Sequence, residues 1–146
     1  MTLEQAIEQA LASQDPDMFL REIPYARFLQ LRGQVVAGHM EMVMPFAERL
    51  VGNAALPALH GGTLGALLET TSLAQLVWSR KSTKIPKTIN LTVTYLRSAK
   101  AVDTYCSCEV VKVGRRVAHA RAETWQDDRS KLIALSYGHF LISSEP

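Results

Sequence analysis

The sequence predicts an α+β fold in which one long apolar helix is wrapped by a curved antiparallel sheet of about six strands. Three observations carry this. Residues 61–79 form an apolar stretch whose one ionisable side chain is Glu69. Two β-like runs precede that stretch and four follow it. The links between the strands are short, and short links join antiparallel neighbours. A sheet with one apolar face must bury it, and no other segment is apolar enough to serve as the cover.

The elements follow in order. Thr2-Leu3-Glu4-Gln5 has the form of a capping box. Leu3, Ala6, Ile7, Ala10 and Leu11 then recur at helical spacing, and Asp15-Pro16 ends or restarts the helix. Pro24 to Phe28 reads as a short helix or turn. "LQLRGQVVA" and "HMEMVMPF" read as strands joined by a tight hairpin at Gly38. In the second run Met40, Met42 and Met44 alternate with Glu41 and Val43, the pattern of a half-buried strand. Residues 47–60, with Gly52, Asn53 and Pro57, read as a loop. The long helix is expected from Gly61 or Gly62 to about Trp78, and residues 81–87 are expected to be a loop.

Four strands are then expected at 88–96, 104–113, 116–126 and 131–142, arranged as a meander. Gly114-Arg115 and Asp127-Asp128 supply hairpin turns. Along 116–126, Ala118, Ala120, Ala122 and Thr124 make one face of small side chains on which a helix can lie closely. The other face, Val117, His119, Arg121, Glu123 and Trp125, is amphipathic.

At 146 residues the chain is one domain: an N-terminal helical extension over 1–24 and a core over 25–142. Apolar residues make up 47% and the formal net charge is +2, far from the basic bias of a nucleic-acid binder. The N-terminus is acidic with no long apolar run behind it, which argues against a secretory signal. No run approaches a membrane span, so neither nucleic acid nor membrane is expected as a partner and the cytoplasm is the expected compartment. Cys106 and Cys108, two apart, point to one face of a strand and read as reduced core thiols. His39, His119 and His139 have no metal-ligand spacing, so no metal is expected.

The chemistry gathers in "LHGGTLGALLE", residues 59–69. A helix starting at His60-Gly61-Gly62 presents free backbone N–H groups, and glycine lets a ligand approach them. The helix macrodipole adds partial positive charge there, suited to a carbonyl oxygen gaining negative charge. Those glycines also serve a tight turn into the helix. Glu69 is the carboxylate of an otherwise apolar helix. A buried carboxyl suits a general base, whereas one on a rim would meet an arginine. Gly61 and Glu69 lie roughly 12 Å apart along a helix axis. A reacting carbonyl must approach both groups within about 3 Å, or reach the base through one water. Two antiparallel helices across a two-fold axis meet that requirement where one helix does not, so a homodimer with two sites is expected, each using Gly61 from one chain and Glu69 from the other.

"HGGTLGALLE", followed by "TINLTVTYLRSA" and "VVKVGRRVAHARAETWQDD", resembles the hotdog-fold thioesterases, closest to the phenylacetate-pathway (PaaI-like) and 4-hydroxybenzoyl-CoA types. The resemblance covers residues 25–142. It implies a helix wrapped by an antiparallel sheet, a dimer or a dimer of dimers, and acyl-CoA hydrolysis without a cofactor, coenzyme A being part of the substrate. By the same resemblance Gly61 is the oxyanion donor, with Gly62 beside it on the substrate. His60 shapes that loop, Glu69 is the catalytic carboxylate, and Thr88 helps position the attacking water.

The pattern departs at three places. Ala54 stands where many members carry Asn or Gln near the thioester, with Asn53 one place off. Leu73 stands where one branch has Thr, and Asn90 where Asp is common. Arg97, Arg115 and Arg116 are the nearest cations for the phosphates of coenzyme A, although the last two also suit a solvated turn. Two other readings stay open: a hotdog domain that binds acyl-CoA without turning it over, and a hydratase or dehydratase, whose His/Asp signature has no match here.

Overall fold

The computed structural model describes residues 1–143, so the final three residues of the expected single domain lie outside it. Helix α1 (Leu3–Ser13) opens on the expected capping box, with Thr2 and Gln5 bonded reciprocally. Short helices α2 (Asp17–Leu20) and α3 (Pro24–Phe28) follow. Strands β1 (Arg32–Val36) and β2 (His39–Met44) form the first hairpin. Residues 47–60 are more than a loop: a 3-10 turn (Glu48–Leu50) leads into a small antiparallel pair, β3 (Val51–Asn53) and β4 (Ala58–Leu59). Helix α4 (Gly61–Arg80) runs two residues past the expected end. Strands β5 (Lys87–Tyr95), β6 (Thr104–Val113), β7 (Val117–Trp125) and β8 (Ala134–Leu141) complete the chain.

The main sheet has six antiparallel strands in the order β1-β2-β6-β7-β8-β5. The expected four-strand meander is therefore wrong in one respect. β6, β7 and β8 form a meander, but β5 pairs with β8 at the far edge. Residues 96–103 must cross three strand spacings, about 14 Å, which eight residues span easily. A link of that length does not force neighbours together. The β7–β8 link is also longer than a hairpin turn, because β8 begins only at Ala134.

Helix α4 lies across the inner face of the sheet. Leu64, Leu67, Leu68, Leu76 and Val77 are buried there against Met40, Met42, Met44, Ala118, Ala120, Ala122 and Phe140. The alanine face of β7 is fully buried, as its small side chains predict. The helix stops at Lys81, which takes a left-handed conformation, with the Ser82 N–H reaching back to the Val77 carbonyl.

Both cysteines lie in this layer, free and buried. Burial raises the Cys106 thiol well above the ordinary range and pushes Cys108 up to about 12, each opposed by a hydrogen bond, from Thr71 and Ser72 respectively. A thiol whose folded-state pKa is raised adds stability that is fully present below the ordinary thiol range. That stability is lost as pH rises from about 9 toward 12. Thermal melts between pH 8 and 11 are expected to fall more steeply for the wild type than for Cys108→Ala. Native protein at pH 8 is expected to resist thiol reagents until it is unfolded.

The β1–β2 turn places Ala37 at φ 50° and Gly38 at φ 80°. Two positive φ angles define a type I′ turn, which suits Asn-Gly better than Ala-Gly. Ala37→Asn is expected to stabilise the fold by about 1 kcal/mol, seen as a rise of about 2–4 °C in melting temperature.

Candidate functional site

The site is built around the start of α4. Gly52 on β3 sits so close to His60 that an added Cβ would lie 2.7 Å from the His60 Cα. The His60 N–H donates to the Leu50 carbonyl at 2.8 Å, which ties the N-cap to the 3-10 turn. The His60 ring turns back, and its Nδ1 accepts from the Gly62 N–H at 2.9 Å. An accepting Nδ1 puts the imidazole proton on Nε2. The His60 carbonyl accepts from the Thr63 N–H at 3.0 Å and from its hydroxyl at 2.6 Å. The amide that remains is Gly61 N–H, which has no acceptor among the described residues. Of the two glycines named from sequence, Gly61 has the available donor and Gly62 spends its own on the cap.

Sequence reasoning missed Tyr95. Its hydroxyl donates to the Gly61 carbonyl at 2.8 Å. Its ring lies 3.2 Å from where a Gly61 Cβ would stand, and its oxygen 3.8 Å from that of Gly65. The "YLR" strand end was the available signal, but nothing local says that this strand end lies over the first turn of α4.

Gly61, Gly65, Glu69 and Leu73 recur every four residues, so they share one side of the helix. That side is only partly buried, in contrast to the flanking Leu64, Leu67 and Leu68. Glu69 is thus half-buried, and among the described residues it has no hydrogen bond or ion pair. No arginine meets it, as a rim position would have required. Leu73 continues the same stripe one turn on.

The remaining predicted residues fall into two groups. Asn53 is exposed, and its side-chain oxygen accepts from the Ala55 N–H at 3.0 Å, holding the β3–β4 turn. Arg97 is exposed beyond Tyr95. With Lys100 and Lys131 it borders a pocket of about 380 Å³ that also contains Asp127 and Asp128. Thr88 lies at the opposite end of β5, seven residues from Tyr95 or about 23 Å of strand. Arg115 and Arg116 occupy the exposed β6–β7 turn. The pairing of Val117 with Leu141, and of Leu141 with Lys87, puts that turn at the Thr88 end. One protomer therefore holds His60, Gly61 and Arg97 at one end and Thr88, Arg115 and Arg116 at the other.

The histidines outside this region make other contacts. His119 and His139 stack on the outer face of the sheet at 4.6 Å, and His139 Nδ1 lies 3.0 Å from Asn90 Oδ1. Among the described residues no three His, Cys, Asp or Glu side chains gather in a way that could hold a metal. No described helix is long and apolar enough to cross a membrane.

The comparisons with known proteins agree with this architecture. The family model of the thioesterase superfamily matches residues 56–133. A protein of known structure from Chromobacterium violaceum is 31% identical, with a TM-score of 0.78 over 95% of this chain and 97% of that one. A phenylacetic acid degradation-related protein from Ralstonia eutropha shares the fold at 23% identity and a TM-score of 0.74, over 87% of this chain and 98% of that one. A thioesterase family protein from Silicibacter pomeroyi shares it at 21% identity and a TM-score of 0.75, over 88% and 96%. No curated protein matches the chain. With the matched segment spanning the whole of α4 and strands β5, β6 and β7, the chain belongs to the hotdog-fold thioesterase superfamily.

Proposed function

We propose that the chain hydrolyses an acyl-CoA thioester to the free acid and coenzyme A. The observation that carries this reading is the pairing of an uncommitted amide, Gly61 N–H, with an unpartnered half-buried carboxylate, Glu69, two turns along the same helix face. The Gly61 amide donates to the thioester oxygen as negative charge builds on it. Glu69 takes a proton from water, whose oxygen then attacks the carbonyl carbon. Alternatively, its carboxylate attacks directly to give a mixed anhydride that water cleaves. In both routes the C–S bond breaks and coenzyme A leaves as the thiolate. No cofactor is needed.

The active unit on this reading is a homodimer, alone or as a dimer of dimers, in the cytoplasm. The two edges of the sheet differ. At β1 the Gly33 N–H is occupied by the Asp17 carboxylate at 2.7 Å, which blunts that edge. At β5 no such cap is present among the described residues, and Ile89, Tyr95 and Leu96 are half exposed. Antiparallel pairing of two β5 edges would set the Gly61 end of one protomer beside the Thr88 end of the second. His60, Gly61 and Arg97 of one protomer would then share a site with Glu69, Thr88, Arg115 and Arg116 of the other. Neither a membrane nor nucleic acid takes part.

One observation favours binding without turnover: Ala54 stands where the family's accessory amide is expected, and the side-chain oxygen of neighbouring Asn53 is spent on the Ala55 N–H. Thiol release measured over aryl, medium-chain and hydroxylated acyl-CoA substrates decides between the two. Turnover of any of them supports the hydrolase. Saturable binding with no thiol released from the whole panel leaves a binding domain.

A further inference from the structure

We infer that Tyr95 is a positioning residue for the Gly61 amide, an inference that rests on the reading of Gly61 as the oxyanion donor. The peptide joining Gly61 to Gly62 is held at both ends. Its carbonyl accepts from the Tyr95 hydroxyl at 2.8 Å, and its N–H is taken by His60 Nδ1 at 2.9 Å. On the other side, the His60 N–H is tied to Leu50 and the His60 carbonyl to Thr63. Every polar group around the donor is fixed except the donor itself. Two consecutive glycines have no side chain to restrict their backbone rotation, so without these ties the first turn of α4 has many orientations. A donor contributes to catalysis only when it is already aimed at the developing charge.

The tyrosine ring alone does not account for the arrangement. Its ring packs against Gly61 and lies along the groove left by Gly61 and Gly65, with Val93 continuing the contact at Gly65. Phenylalanine fills that groove equally well. The hydroxyl adds a bond to one specific carbonyl, and that bond fixes the plane of the Gly61–Gly62 peptide, the neighbour of the His60–Gly61 peptide that carries the donor. Tyr95 is the last residue of β5, and its placement over α4 follows from the pairing of β5 with β8, Tyr95 opposite Ala134. The far-edge position of β5 thereby delivers a hydroxyl to the helix N-terminus.

The test is Tyr95→Phe, which keeps the ring and removes the bond. The expected result is a fall in kcat of about tenfold for acyl-CoA hydrolysis, with KM and melting temperature unchanged. Gly61→Pro removes the donor N–H itself. In that background Tyr95→Phe is expected to change kcat by less than about twofold, because there is no donor left to aim. An equal loss in both backgrounds, or a loss carried by KM, overturns the inference. Backbone nitrogen relaxation at Gly61 and Gly62 gives a readout independent of turnover. Lower order parameters in Tyr95→Phe support the positioning, and unchanged ones overturn it whatever the activity. If the amides loosen but the wild type releases no thiol from any substrate, the positioning stands and the hydrolase reading falls.

Discussion

Glu69→Gln is expected to lower kcat for thioester hydrolysis by about three orders of magnitude with little change in KM. Glutamine keeps the shape of the side chain and removes both its basicity and its ability to form an anhydride. The structure makes this an informative substitution. Glu69 has no hydrogen bond or ion pair among the described residues, so no internal contact is lost with the charge. It sits half-buried on the least buried side of α4, so the neutral amide still meets solvent or a partner surface. Melting temperature is accordingly expected to stay within about 2 °C of the wild type. Loss of activity with an unchanged melting curve assigns the loss to chemistry. Full turnover by Glu69→Gln would remove Glu69 from the mechanism and leave the Gly61 amide of the facing protomer without its proposed base.

The elements of this fold were legible because their signals are local. The capping box at Thr2, the alternating methionines of β2 and the alanine face of β7 each depend on spacing within one segment. The run from Gly61 to Arg80 is long and free of proline. The order of the strands was not legible in the same way. β5 and β6 are adjacent in sequence yet stand three positions apart in the sheet, because an eight-residue link permits either arrangement. The site divides along the same line. His60, Gly61 and Glu69 belong to one continuous stretch, so their placement along one helix is legible locally, and the roles proposed for them rest on the family resemblance. Tyr95 reaches Gly61 only through the β5–β8 pairing, and Gly52 reaches His60 only through the β3–β4 pair, which sequence reading took for plain loop. Arg97 and Arg115 looked like one set of cations in sequence, and the register of β7 against β8 separates them by the length of the sheet.

That separation leads to the strongest test of a shared site. Two variants, each inactive alone, are expected to recover about a quarter of wild-type activity when co-expressed or refolded together. One is Glu69→Gln, which removes the base. The other is Gly61→Pro, which removes the donor N–H, at an expected cost of about 10²–10³ in kcat. Proline is tolerated at the first position of a helix, where the N–H has no helical acceptor in any case. His60 at φ −65° and ψ 128° already has the backbone that a residue before proline requires. Added carbon at Gly61 presses on the Tyr95 ring, 3.2 Å from the ideal Cβ, so Gly61→Ala serves as a control that adds the contact and keeps the donor. Random pairing makes about half of the dimers mixed. If each site takes its donor from one chain and its base from the other, every mixed dimer holds one doubly defective site and one intact site. If donor and base come from the same chain, every site in the mixture carries one defect, and activity stays at the level of the separate variants. Recovery to about a quarter, well above the residual rate of either variant, would require that Gly61 and Glu69 act across the two-fold axis. Failure to recover, with mixed dimers demonstrated by differential tagging, would confine catalysis to a single chain and sink the shared-site arrangement.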